Sequence, residues 1–268
     1  MNLSRMDLDD AGDDPERIAV EIHRQLQLAS GPVPVDRIAL GLDITEIRVE
    51  ALISMEGCLI TQPERTDGAI LVNANANPRR RRFTIAHELG HFLILTHQQS
   101  TDDVGFTCRT EDMIVSSNAG LLDAQKKQEA EANLFAINLL APADRCRRFL
   151  KRIPDLEDIV DLANDLDISR EAAARRYVEL HQTGAAVVFA RSGRVLYSAR
   201  HPDFPFVTLN RGDPLPLDAE LRLGDKISAH VEADAEDWVA KSHGRTLVAQ
   251  RLRQERDHEM ILLAFEVD

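Results

Sequence analysis

At 268 residues the chain can form one large domain or two modest ones. Its 44% hydrophobic and 29% charged residues are those of a globular protein, and with 4% aromatics the core must rest on Leu, Ile, Val and Ala. A formal net charge of -13 disfavours broad adhesion to nucleic acid or anionic lipid, which depends on Lys and Arg, so direct DNA binding is not expected.

No run reaches the roughly 18 apolar residues of a membrane span. The acidic N-terminus lacks the basic and apolar regions of a signal peptide, so a cytoplasmic location without a membrane partner is expected. Cys58, Cys108 and Cys146 are widely spaced with no CxxC pair, which points to buried thiols rather than a disulfide framework or a cysteine metal site.

Residues 1–14 carry Asp7, Asp9, Asp10, Asp13 and Asp14 with few apolar neighbours and read as a disordered leader. From Pro15, the residues Ile18, Ile22 and Leu26 recur at helical spacing until Ser30-Gly31-Pro32, and a short helix is expected over 35–40. Ile44 to Val49 and Gly68 to Asn73 have the alternation and β-branched content of strands. Asn77-Pro78 combines an N-cap with Pro in the first turn, and a long helix is predicted from Arg79 to Leu95. Its opening run, Arg79 to Arg82, places four cations against the helix dipole, so acidic partners from elsewhere are expected there.

Residues 96–120 are polar and read as a loop over a site. Ala124 to Leu140 returns to helical periodicity and stops at Ala141-Pro142. Two short helices, 155–165 and 169–180, have helix-turn-helix dimensions; Arg170, Arg175 and Arg176 could read DNA, but the acidic first helix would repel phosphate. Beyond residue 182 the pattern is β-rich, with strands expected at 185–190, 194–199, 206–210, 226–232 and 260–267, and short helices at 236–242 or 246–252. The expected division is a leader over 1–14, a first domain over 15–150, a helix-turn-helix-like segment over 151–182 and a C-terminal domain over 183–268.

The predicted long helix contains His87-Glu88-Leu89-Gly90-His91. Two imidazoles one turn apart on one helical face can reach a single ion, and the adjacent Glu88 is placed to act as general base toward a water in an open coordination position. A third ligand is needed. His97 has the right interval for an HExxHxxGxxH site, but Ile94 stands where that motif needs Gly to turn the chain, and in a continued helix His97 would point away. Glu129 and Glu131 on the later helix are the alternatives. Glu129 is favoured because Asn133 lies four residues on, where it could support a ligand or accept the outer N–H of a ligating His. Such a His₂Glu set suits Zn²⁺, with Mn²⁺ or Fe²⁺ also compatible. Tyr177 is a candidate oxyanion donor.

The segments Ile70 to Asn73, Arg82 to His91, and Glu129 to Ala136 continuing through Leu139 to Pro142 resemble the ImmA/IrrE family of bacterial metallopeptidases. The resemblance covers roughly residues 15–180. It implies an α+β fold with a mainly helical, zincin-like peptidase domain, a helix-turn-helix-like segment and a GAF-like C-terminal domain, although about 85 residues are few for that last unit. It also implies His87 and His91 as metal ligands, Glu88 as catalytic base and Glu129 as third ligand. The expected activity is cleavage of an Xre-type helix-turn-helix repressor that switches on a stress (DNA damage) response. The competing class is a non-proteolytic regulator that binds a partner or DNA with the same fold.

Overall fold

The computed structural model describes residues 3–98, 106–108, 124–216, 226–242 and 244–266. It is a mixed α/β protein with two sheets, divided into two compact units. The first comprises Met1–Pro142 with Asp165–Ser169, and the second Ala143–Asn164 with Arg170–Asp268.

In the first unit, helices α1 (Arg5–Asp9), α2 (Pro15–Leu26) and α3 (Val35–Leu40) precede strands β1 (Ile44–Glu50), β2 (Gly57–Thr61) and β3 (Gly68–Asn73). Helix α4 (Pro78–Leu93), strand β4 (Phe106–Cys108) and helix α5 (Ala124–Leu140) follow. The sheet order is β1-β3-β2-β4, with β1 parallel to β3 and the other pairs antiparallel. Along β3 alternate residues Gly68, Ile70 and Val72 are buried, the period expected of a strand with one face on a core. They share that core with Leu59, Ile18, Ile22, Leu89, Phe92, Phe135 and Leu139.

The acidic leader departs from expectation, because its charges find donors. Ser4 caps α1 by accepting from the Asp7 N–H, Leu8 is buried, and Asp14 caps α2 through the Arg17 N–H. Asp13 accepts from the Leu95 N–H just past the end of α4. Ordering such a segment is costly, and these tertiary partners offset the cost where composition alone gave no sign of them.

Helix α4 starts where Asn77 and Pro78 predicted it, with Asn77 Oδ1 accepting from the Arg80 N–H. It ends earlier than the apolar run suggested: Ile94 has φ −82° and ψ 100°, so the chain leaves the helix there in an extended conformation. The expected acidic partners of the basic first turn are present, with Arg79 3.1 Å and Arg82 3.4 Å from Asp167, and Arg80 3.5 Å from Glu56. The expected loop over 96–120 lies largely outside the described residues.

The second unit holds α6 (Ala143–Cys146), α7 (Leu156–Leu166, whose final residues pass into the first unit), α8 (Arg170–Leu180) and a five-stranded antiparallel sheet. Its strands are β5 (Ala186–Arg191), β6 (Arg194–Arg200), β7 (Val231–Ala233), β8 (Leu247–Arg253) and β9 (His258–Phe265), in the order β6-β5-β9-β8-β7. The short helix α9 (Ala235–Trp238) buries Trp238 against Val188, Ile261, Leu263 and Phe265.

Three assignments change in this unit, the first being the strand expected over 226–232, which forms only from Val231 to Ala233 while Ile227 makes an isolated bridge to Leu252. Residues 246–252, which have good helix formers, lie in strand β8, because pairing to β7 and β9 on its two edges outweighs a weak local preference. Residues 206–210 make only an isolated bridge, Val207 to Val239, and Phe206 is exposed.

Cys58 and Cys146 form no disulfide. The side chain of Cys108 lies outside the described residues.

Candidate metal centre

Helix α4 carries His87, Glu88 and His91 on a stretch that is buried from Thr84 to Leu93. The i, i+4 spacing puts both imidazoles on one side, with 3.1 Å between their Nε2 atoms. The third group comes from α5: Glu129 Oε2 lies 3.1 Å from His87 Nε2, and Oε1 lies 3.3 Å from His91 Nε2. One ligand atom from each of the three residues falls within 4.8 Å of the others.

Gly90 makes this approach possible. A Cβ at that position would sit 2.9 Å from Phe135 Cδ1 and 3.3 Å from the Ala132 Cα, so any larger residue would hold α5 away from α4. The interval of Gly90 from the two His is the sequence signal that a second helix comes close there. Gly57 in β2 has the same role on the other flank, where a Cβ would collide with Thr84 Cγ2 and meet Glu88 Oε1 at 3.2 Å.

The protonation of the site follows from its surroundings. His87 Nδ1 lies 3.1 Å from Asn133 Oδ1, an acceptor, so Nδ1 carries the proton and Nε2 is a bare lone pair. Asn133 thus stands at the outer nitrogen of His87, the second of the two places foreseen for it. Burial lowers the pKa of His91 to about 4, leaving it neutral near pH 7. Glu88 goes the other way: burial, then the nearby Glu129 charge, raise it well above the ordinary carboxylate value, with the Leu59 backbone opposing only in part. Neither Glu88 oxygen makes a side-chain hydrogen bond among the described residues.

Neutral imidazoles and an ionised carboxylate are the states in which these groups ligate a metal. A bare nitrogen lone pair facing a buried carboxylate oxygen at 3.1 Å, with Glu129 Oε2 lacking a donor, is repulsive without a cation between them. The donor set therefore fits a divalent ion, and two nitrogens with one oxygen are suited to zinc.

Glu131, the alternative third ligand, is not part of the triad. Two positions along a helix turn a side chain by about 200°, and Glu131 faces His97 at 3.1 Å instead. His97 is buried against the outer edge of His91, with 2.9 Å between the two Nδ1 atoms. The extended exit at Ile94 and the Arg65 guanidinium, which donates to the carbonyls of Ile94 and His97, bring it there. Continuing the helix through Ile94 had hidden this contact.

Tyr177 is the candidate oxyanion donor. It lies in the second unit, fully buried beside His181, and its hydroxyl accepts from the Asp155 N–H at 3.1 Å. The three arginines of the helix pair also have partners within that unit. Arg176 meets Glu179 at 3.0 Å, Arg175 lies 4.7 Å from the centre of the Tyr197 ring, and Arg170 reaches Gln254 at 3.5 Å.

Residues 60–177 match the peptidase M78 family, the IrrE N-terminal-like domain. The chain is 28% identical over 122 residues to the radiation response metalloprotease IrrE of Deinococcus radiodurans, a match covering 45% of this chain and 33% of that protein. It is also 28% identical over 122 residues to the protein of the same name from Deinococcus deserti, covering 45% of this chain and 39% of the relative. The matched stretch thus spans little more than a third of these relatives. A Mycobacterium tuberculosis transcriptional regulator has a similar fold, with a TM-score of 0.56 at 13% identity over 94% of this chain and 88% of that one. Through its residues 60–177 the chain is thus similar to the ImmA/IrrE family.

Proposed function

We propose that this chain is a metal-dependent, zinc-type endopeptidase that cleaves an Xre-type helix-turn-helix repressor and so switches on a stress (DNA damage) response in the cytoplasm. The observation that carries this reading is the convergence of two bare imidazole nitrogens and a carboxylate beside a buried Glu88 without a side-chain hydrogen-bond partner. The relatives named radiation response metalloproteases support it.

His87, His91 and Glu129 would hold the ion, and the raised pKa of Glu88 suits it to a proton-transfer task. When bound, a divalent ion acidifies a water and polarises the scissile carbonyl. Glu88 takes the proton of the attacking water on its carboxylate and returns it to the departing amide nitrogen. A carboxylate near its ordinary value would hold that proton too weakly; the dry surroundings of α4 correct this. His87 is held in its ligating tautomer by Asn133. On this reading the antiparallel sheet of the second unit is the GAF-like domain and the α7–α8 pair the helix-turn-helix-like segment.

The test is Glu88→Gln. The variant should keep one bound zinc and lose cleavage of the Xre-type repressors from the same cell. Retained proteolysis overturns the role of Glu88. If chelation leaves the effect of the wild-type protein on its partner unchanged, the non-proteolytic regulator is the better reading.

A further inference from the structure

We propose that His97 and Glu131 are positioning residues that fix the tautomer and ring orientation of His91 through a two-step hydrogen-bond relay. The proposal rests on the metallopeptidase reading above and goes beyond its three ligands. The direction of each bond can be worked out from the outer end. Glu131 Oε2 lies 3.1 Å from His97 Nε2, and a carboxylate only accepts, so Nε2 carries the proton. A neutral imidazole has one N–H, which leaves His97 Nδ1 as an acceptor. That atom is 2.9 Å from His91 Nδ1, so His91 donates from Nδ1 and presents a bare Nε2 to His87 and Glu129.

The relay is held from both ends. The His97 N–H donates to the Ile94 carbonyl at 3.1 Å, and the His97 carbonyl accepts from Arg65. At the other end Glu131 meets Lys127 at 3.6 Å. The two ligating histidines are therefore supported differently. His87 leans on a neutral amide, whereas His91 leans on a chain that ends in a carboxylate, which favours the bare Nε2 and makes it a stronger donor to a metal.

Zinc affinity of the full chain, measured by competition with a chromogenic chelator, tests the relay, with thermal melts of the zinc-free proteins as the check on folding. His97→Ala should weaken zinc binding roughly 10–100-fold, the range for lost outer support of a ligand. His97→Asn should recover most of that loss, because its Oδ1 can accept from His91 Nδ1. Imidazole ¹⁵N spectra of the zinc-free protein should show His91 protonated on Nδ1 in the wild type and a mixed signal in His97→Ala. Unchanged zinc affinity in His97→Ala, or an equal loss in His97→Ala and His97→Asn, overturns the relay while leaving the peptidase reading intact. If His97→Ala does not fold, Glu131→Ala decides, since Glu131 is partly exposed; weakened zinc binding supports the relay and unchanged binding overturns it. A wild-type chain that binds no stoichiometric zinc overturns the peptidase reading itself.

Discussion

Two pairs of polar rings four residues apart are buried, His87 with His91 within α4, and Tyr177 of α8 with His181 just past the end of that helix. In the second pair the Tyr177 hydroxyl accepts from the Asp155 N–H and His181 Nδ1 lies 2.9 Å from the Thr183 hydroxyl, while His181 Nε2 has no hydrogen-bond partner among the described residues and faces no carboxylate of a three-residue donor cluster. In α4 the outer nitrogens are likewise engaged, by Asn133 and His97, but the inner ones converge on one another and on Glu129. Burial and spacing are therefore shared by a structural pair and a candidate site. What separates them is that one leaves acceptors facing acceptors, an arrangement that is costly unless a cation occupies it.

The sharpest way to break this contrast is to remove an inner acceptor. His91→Ala should lower zinc affinity by on the order of 100-fold or more, since it deletes one of three ligands, whereas His181→Ala should leave zinc affinity unchanged. Chelator competition on both variants measures the difference, and equal losses would erase the distinction between the helices.

Gly90→Ala is expected to act next most strongly. The added methyl meets Phe135 at 2.9 Å, so α5 must shift, at a cost of about 1–3 kcal/mol in urea unfolding together with weakened zinc binding. A variant of wild-type stability and affinity would mean that the α4–α5 spacing is not what sets the triad.

Acid should unfold the zinc-free protein through the α4 side. Burial lowers His91 to about 4 and His97 to about 3 from the ordinary imidazole value of 6.5, so between those limits the unfolded chain binds protons that the folded chain does not. Their stabilising effect is complete above about pH 6.5 and is lost as the pH falls toward 4. Urea midpoints of the zinc-free protein should therefore decline over that interval, with a shallower slope in His97→Asn. The smallest effect is expected of Tyr177→Phe, which removes the acceptor of the Asp155 N–H. It should cost roughly 1 kcal/mol of stability in the second unit without changing zinc affinity. A large loss of activity at normal stability would restore Tyr177 as an oxyanion donor.

Much of the local structure was legible in the residue pattern. Asn77-Pro78 marks the start of α4, the alternation of Gly68, Ile70 and Val72 marks β3, and HExxH marks the paired imidazoles, because capping, pleat and helical period act over a few residues. The strand at 247–253 and the order in the acidic leader were not legible. Both depend on partners far along the chain, β7 and β9 for the strand, and Leu95 for Asp13.

Sequence alone determined the donor types, the helical interval between His87 and His91, and the candidacy of Glu129 with its neighbour Asn133. Tertiary structure decided the rest: that Gly90 admits α5 closely enough for Glu129 rather than Glu131 to reach both imidazoles, and that the exit at Ile94 folds His97 back onto His91. The reason is one of range. Propensity and periodicity are properties of adjacent residues, whereas a shared ligand position exists only once separate helices have packed to within the reach of their side chains.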